Sequence, residues 1–379
     1  ISHEIYIEVV FTFARGLVIA SSLLIFANMS YAEGVKRFSV SAGWLHVMPQ
    51  GKANPFNINT SVKNGTVAKV GSISPTSFLN SVDPNATEVD VGGEPFNQKE
   101  FLELALNDDF LKGLLLDEEG NIKPEVAGEA TIQGLEQWHQ NDAGLEVDDT
   151  DTLGLMFNYY LNDNVSLQFI GGIPPKVDIK GQGEILAPLS GVALSPHELV
   201  KILFPNGITL GQAVPITNLG NKPKAASVRA WTPAIEAQYQ FGKSGVNKFR
   251  PYLGVGLMYA HFNDIKLNDE IRSDLISAGH MIQNVLDGKA GAALDRKESS
   301  GNMVVKVDAD DAIAPIFTAG FTYDFNDSWY TVASVSYAKL NNRTQIDVIN
   351  QNTGARLIHG STKVDIDPII TYLGVGYRF

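Results

Sequence analysis

The stretch WTPAIEAQYQF at residues 231–241 decides the fold. Taken in twos, Trp231, Pro233, Ile235, Ala237, Tyr239 and Phe241 fall on one face and Thr232, Ala234, Glu236, Gln238 and Gln240 on the other. Side chains of an extended chain alternate between faces. The segment is therefore a strand with a greasy face ending in aromatics and a face of amides and a carboxylate. A strand of a soluble sandwich alternates too, so the rest of the chain must separate the two cases.

Working outward, the same alternation predicts eight strands: Arg37–Met48, Thr152–Leu161, Val165–Ile179, Ser227–Phe241, Phe249–Phe262, Ala312–Phe325, Trp329–Leu340 and Lys363–Phe379. Short polar turns at 162–164, 242–245 and 326–328 join the second to the third, the fourth to the fifth and the sixth to the seventh. Long segments make the other four connections. Short turns at one rim and large loops at the other are the outer-membrane arrangement. Tyr159, Tyr239, Phe241, Tyr323, Phe325, Trp329, Tyr377 and Phe379 gather at the short-turn ends as an interfacial girdle. The expected fold is all-β, an eight-stranded antiparallel transmembrane β-barrel with long, partly helical extracellular loops.

The apolar stretch 16–27 after Arg15, with Ser30-Tyr31-Ala32 behind it, has the form of a signal peptide over 1–32, an anchor helix being the alternative. That leaves 33–379 as the barrel unit, in the outer membrane of a Gram-negative cell. Three extracellular insertions are expected, at 49–149, 182–226 and 265–310. The first is acidic: 49–148 holds 17 Asp and Glu against six Lys, most of the net charge of −13. With no basic face to neutralise phosphates, nucleic acid is excluded as a partner. No cysteine is present, which removes disulfides, thiolate metal sites and thiol nucleophiles.

Helical spacing appears at 98–116 and 269–286, and Ser195-Pro196-His197-Glu198 has the form of an N-cap, N1 proline and capping-box glutamate. These helices are expected to pack on one another as a cap over the barrel mouth, flexible excursions being the alternative. The histidines are scattered, no GxSxG, HExxH or GxGxxG occurs, and FGKSG at 241–245 sits in a turn. No enzyme, no catalytic residue and no cofactor is expected. Asp117-Glu118-Glu119 and Glu146 to Asp151 offer oxygen ligands but fit no EF-hand, and no metal site is assigned.

LGLMFNYYLNDNVSLQFIGGIPPKVDIKG, PAIEAQYQFGKSGVNKFRPYLGVGLMY, FTYDFNDSWYTVASVSY and DPIITYLGVGYRF resemble the outer membrane protein W family, which includes alkane-uptake barrels. Phe249-Arg250-Pro251-Tyr252 and the Gly-Tyr-Arg-Phe ending are the most specific elements, and the long loops lie outside the likeness. The resemblance implies a barrel in outer-membrane lipid and lipopolysaccharide that passes small hydrophobic solutes, with Tyr377 and Phe379 read by the barrel-assembly machinery. Its narrow point, a leucine and a tryptophan in the family, falls here on Ile170 and Ser336.

Eight strands enclose little more than their own side chains. The lumen would receive Met156, Tyr160, Ile170, Met258, Phe262, Tyr330, Val332, Ser336, Ile370 and Tyr372, with Asn158, Gln168, Glu236, Gln238 and Arg378 among them. Pro174, Pro175 and Pro233 fall at one height on neighbouring strands and cannot donate to the ladder. They mark either a lateral window, through which a greasy solute leaves for the bilayer, or the ends of the strands above the membrane. The competing function is a structural or host- or phage-interaction protein whose loops carry the activity.

Overall fold

The computed structural model describes residues 36–90 and 92–379. The expected signal segment lies outside them. Eight antiparallel strands close on themselves: β1 (Phe38–Met48), β2 (Thr150–Tyr160), β3 (Val165–Gly172), β4 (Ala234–Gln240), β5 (Phe249–Leu267), β6 (Ala312–Asp324), β7 (Trp329–Ala338) and β8 (Ile369–Arg378). Each pairs with its successor and β8 returns to β1, Ser39 facing Arg378 and Met48 facing Ile369. Closure leaves no unpaired edge in hydrocarbon, which is what a spanning sheet requires.

Two short turns are built alike. Asn162 Oδ1 accepts from the Asn164 and Val165 amides at 2.9 and 2.8 Å, and Asn326 Oδ1 accepts from Ser328 and Trp329, both at 2.9 Å. The outward face is continuously apolar, with Leu153, Leu155, Phe157, Phe169, Ile235, Leu253, Val255, Phe317, Val335, Leu373 and Val375 all exposed. Phe249 and Tyr259 bound this belt on β5, ten residues apart. At about 3.3 Å per residue and a tilt of about 40°, that is a height of about 25 Å.

The repeated Tyr-Leu-Gly-Val-Gly is explained by crowding inside this wall. A Cβ on Gly376 would lie 2.2 Å from Tyr330 Cζ, and one on Gly254 would lie 2.7 Å from Glu236 Oε2. The inward glycines make room for the large side chains of the neighbouring strands.

Two predicted strands are interrupted. The third ends at Gly172 and a separate strand, Lys176–Gln182, begins beyond Pro174-Pro175; the fourth is split at Thr232-Pro233 into Ala226–Trp231 and β4. The eighth begins at Ile369, because Lys363 belongs to the strand Ala355–Asp365.

Above the barrel stands a packed cap, and its composition corrects the expectation of helix on helix. It is chiefly sheet. One sheet has the order Ile208–Asn218, Glu184–Leu194, Glu129–Gln133, Thr66–Lys69; the other has Met303–Ala309, Asn341–Asn350, Ala355–Asp365, Phe56–Thr60, Gln137–Gln140. The helix Asp269–Leu286 packs against both sheets through Ile271, Ala278, Met281, Ile282 and Val285. Its first turn is fixed by Asn268, whose Oδ1 accepts from the Glu270 and Ile271 amides, and by Asp269 and Glu270 facing the positive end of the helix dipole.

The other two helical expectations need revision. The 98–116 segment is two helices, Gln98–Ala105 and Asp109–Leu115, because the Asp108 carboxylate caps the Phe110 and Leu111 amides and starts a new one. Helix Glu198–Leu203 has His197 at its N-cap; Ser195 Oγ spends its lone pair on the His197 amide at 3.1 Å.

Candidate functional site

The two halves of the lumen differ in chemistry. In the periplasmic half, polar side chains from all eight strands interlock. Ser39 Oγ lies 3.3 Å from Tyr160 Oη and accepts from Tyr330 Oη at 3.0 Å. Gln168 Nε2 donates to Asn158 Oδ1 at 3.1 Å, and Gln238 Nε2 donates to Gln168 Oε1 at 2.8 Å. Thr318 Oγ1 donates to Glu236 Oε1 at 2.5 Å, and Gln240 Nε2 donates to Thr322 Oγ1 at 2.7 Å.

Arg378 pairs with Asp324 at 2.7 Å and lies 4.3 Å over the Tyr330 ring, while Tyr372 Oη donates to Ser41 Oγ at 3.1 Å. Arg250 is 1% exposed and donates to the carbonyls of Phe241, Gly242 and Asp163, tying two short turns into the floor. A network of this kind, with most of its members hydrogen-bonded to one another, is rigid, although among the described residues Arg378 Nη2 is buried without a partner. It fills the periplasmic half of the lumen.

Above it the walls turn apolar and enclose a cavity that extends from the upper barrel into the base of the cap. Met156, Ile170, Met258, Phe262, Ser336, Ile370 and Tyr372 line it from the barrel. The remaining expected lumen residues, Tyr160, Tyr330 and Val332, lie lower, beside the polar network. Phe56, Leu219, Ile271 and Ile346 close it from the cap side. Ile170 and Ser336 do share this wall, but Ser336 is small and its Oγ is engaged with Thr318 at 2.7 Å, so position 336 supplies no bulk to the lumen.

The cavity wall is interrupted on one side. Pairing between β3 and β4 stops at Ile170 opposite Ala234 and resumes where the Ala230 amide donates to the Pro175 carbonyl at 3.1 Å. Between those points lie Gly171 to Pro174 on one strand and Trp231 to Pro233 on the other. The Arg229 guanidinium reaches the Pro174 carbonyl at 3.3 Å across the top of the break. Each flank stays anchored to its outer neighbour: the Ile173 amide donates to Leu153 at 3.1 Å and the Tyr259 amide to Pro233 at 2.9 Å. Above the break Lys176–Ile179 pairs with Ala226–Arg229, so the wall closes again. Pro175, Ala230 and Thr232 line the cavity at this place, and Ile173 is exposed on the outside.

The level of the break is marked by two outward clusters, each an aromatic side chain and a histidine sharing one aspartate. Trp44 Nε1 donates to Asp151 at 2.8 Å with His46 Nδ1 at 2.8 Å from the same oxygen, and Tyr259 Oη donates to Asp311 at 2.6 Å with His261 at 2.7 Å. Amphipathic rings of this kind collect at a membrane interface. Nothing in the alternation pointed to the two clusters, because their members come from different strands.

Comparison with known proteins places this architecture. The family model described as the OmpW family matches residues 278–379. The chain is thus similar to the OmpW family of outer-membrane barrels over its C-terminal strands. The outer membrane protein W of Vibrio cholerae is 25% identical over 62% of this chain and 76% of its own length, and that of Salmonella typhi is 25% identical over 67% and 86%. The crystal structure of the outer membrane protein OprG from Pseudomonas aeruginosa aligns at a TM-score of 0.47 and 14% identity, over 91% of this chain and 96% of its own. A closed β-barrel with these likenesses to outer membrane protein W resides in the Gram-negative outer membrane. Phe379, at the end of the matched region, closes the last strand onto the first, its amide donating to Phe38 at 2.9 Å and its ring stacking on Phe38 at 6.2 Å.

Proposed function

We propose that this OmpW-like barrel takes up small hydrophobic molecules passively, holding them in the capped cavity and releasing them sideways into the outer membrane through the break between β3 and β4. One observation carries this reading: the apolar cavity has a polar floor packed with side chains and a side wall whose ladder is interrupted at Pro174, Pro175 and Pro233. A greasy solute that left through the floor would have to displace hydrogen-bonded amides and a buried ion pair. Sideways, it meets acyl chains at once. The gap lies at the outer edge of the apolar belt, level with Tyr259, and a ladder left open there suits an exit better than a wall.

The test is uptake of an apolar tracer by intact cells that rely on this protein, with Pro174, Pro175 and Pro233 all changed to Val so that the ladder can zip. Slower uptake, with tracer binding to the purified barrel unchanged, supports sideways release. Unchanged uptake through a folded triple variant would refute it.

A further inference from the structure

Among the described residues, the cavity carries one buried polar group that nothing satisfies. Asn342, on the strand Asn341–Asn350 at the junction of barrel and cap, is 9% exposed and lines the cavity. Its Oδ1 is buried and has no hydrogen-bond partner, and among the described residues its side-chain amide makes no hydrogen bond at all. Its surroundings sharpen the anomaly. Val364 is its cross-strand partner, and Leu340, Ile366 and Ile370 share the same wall. The other polar groups facing the space are the hydroxyls of Thr150, Thr232, Thr344, Ser336 and Tyr372 and one charge, Asp148, which is ion-paired with Lys180 at 2.7 Å. That lysine, by its hydrogen bond, holds the Asp148 carboxyl below the usual carboxylate range.

An amide left unpaired in an apolar enclosure destabilises the fold, whereas a leucine of the same size would not. The geometry points to Asn342 as a specificity-determining residue that hydrogen-bonds the neutral polar end of the solute. The preferred ligand is then an aliphatic chain ending in a hydroxyl rather than a bare hydrocarbon or a carboxylate. A hydroxyl answers both ends of the amide, giving a proton to Oδ1 or accepting one from the NH2 group. Among the described residues no cation lines the cavity to balance a carboxylate, and Asp148 would repel it. This rests on the uptake function proposed above and names its substrate class.

The experiment uses the full chain refolded in detergent micelles, with decane, 1-decanol and decanoate each displacing a bound hydrophobic fluorophore, concentrations expressed as mole fraction in the micelle. The wild type should prefer 1-decanol over decane by about tenfold, the worth of one hydrogen bond to a group otherwise unpaired, and should respond weakly to decanoate. Asn342→Leu should abolish the preference and leave decane binding intact, while its thermal midpoint holds or rises because an unpaired buried amide has gone. Asn342→Thr, which keeps a hydroxyl on a strand-favouring side chain, should retain part of the preference and serves also if the leucine variant does not fold. A wild type without preference, or a preference that survives Asn342→Leu, overturns the assignment while leaving cavity binding standing. Displacement by none of the three ligands overturns both the assignment and the uptake reading.

Discussion

The barrel and the cap are both β-rich, yet opposite rules hold them together. In the barrel a belt of apolar residues faces outward, Leu253 and Leu373 each being 56% exposed, and the buried residues include Glu236, Gln238, Arg250 and Arg378. In the cap the order is the usual one for a protein in water, with Ile271, Ile282 and Val348 buried beneath a charged surface. One chain thus has to satisfy two solvents, and the change of rule occurs at the junction, where the cavity lies. The difference shows what each region is sensitive to: crowding and polar pairing in the barrel, apolar packing in the cap.

The largest effect should come from violating crowding. Gly376→Val places methyl groups into Tyr330 and should prevent closure of β8 against its neighbours, read as loss of the heat-modifiable folded band on a gel. Next, Ile282→Asp puts an unpaired charge where the residue is 1% exposed, at a cost of several kcal/mol. The cap should become protease-sensitive while the barrel band survives. If the barrel is lost as well, the two regions are one cooperative unit and the contrast fails.

A smaller effect separates the regions by pH. Asp295 anchors the cap: it accepts from the Ser74 amide and from Ser74 Oγ, the latter at 2.7 Å. Burial works against its charge, but the bonds from Ser74, Ser77 and Lys297 outweigh this and leave its carboxyl below the ordinary value of 3.8. A group depressed in the folded state contributes stability above its unfolded pKa and loses it as pH falls through the folded one. Cap protection against proteolysis should therefore fall below about pH 4, and Asp295→Asn should remove much of that dependence. The smallest effect should come from Phe110→Ser, since Phe110 is 81% exposed; a stability change beyond about 0.5 kcal/mol would mean that it packs on something.

The same contrast explains what could be read from the sequence. Barrel strands face lipid on one side and a polar lumen on the other, so segments such as 231–241 alternate along their whole length and give away both faces. Cap strands bury one face against a helix or a second sheet, and their order in the sheets is set by contacts far apart in sequence, such as Phe56–Thr60 inserting between 137–140 and 355–365. No local pattern records that. The helix at 269–286 was legible to its ends because its cap and amphipathic stripe agree, whereas Asp108 looked like one more surface acid inside a helical run. Seven lumen residues share the cavity because alternation assigns a face, but alternation gives no height, which is why Tyr160, Tyr330 and Val332 lie with the floor. Asn342 sits in Asn341-Asn342-Arg343, a stretch indistinguishable in composition from a solvated loop.

The central claim, that the cavity opens sideways to acyl chains, is tested most directly at Thr232, which lines both cavity and break. The chain has no cysteine, so Thr232→Cys can be labelled alone with a small fluorophore and reconstituted in bilayers containing phospholipids brominated on their acyl chains. Strong quenching at Thr232, with a label on a Ser336→Cys variant deep in the lumen left bright, is the predicted result. A Thr232 label quenched by aqueous iodide and untouched by the brominated lipids would contradict it.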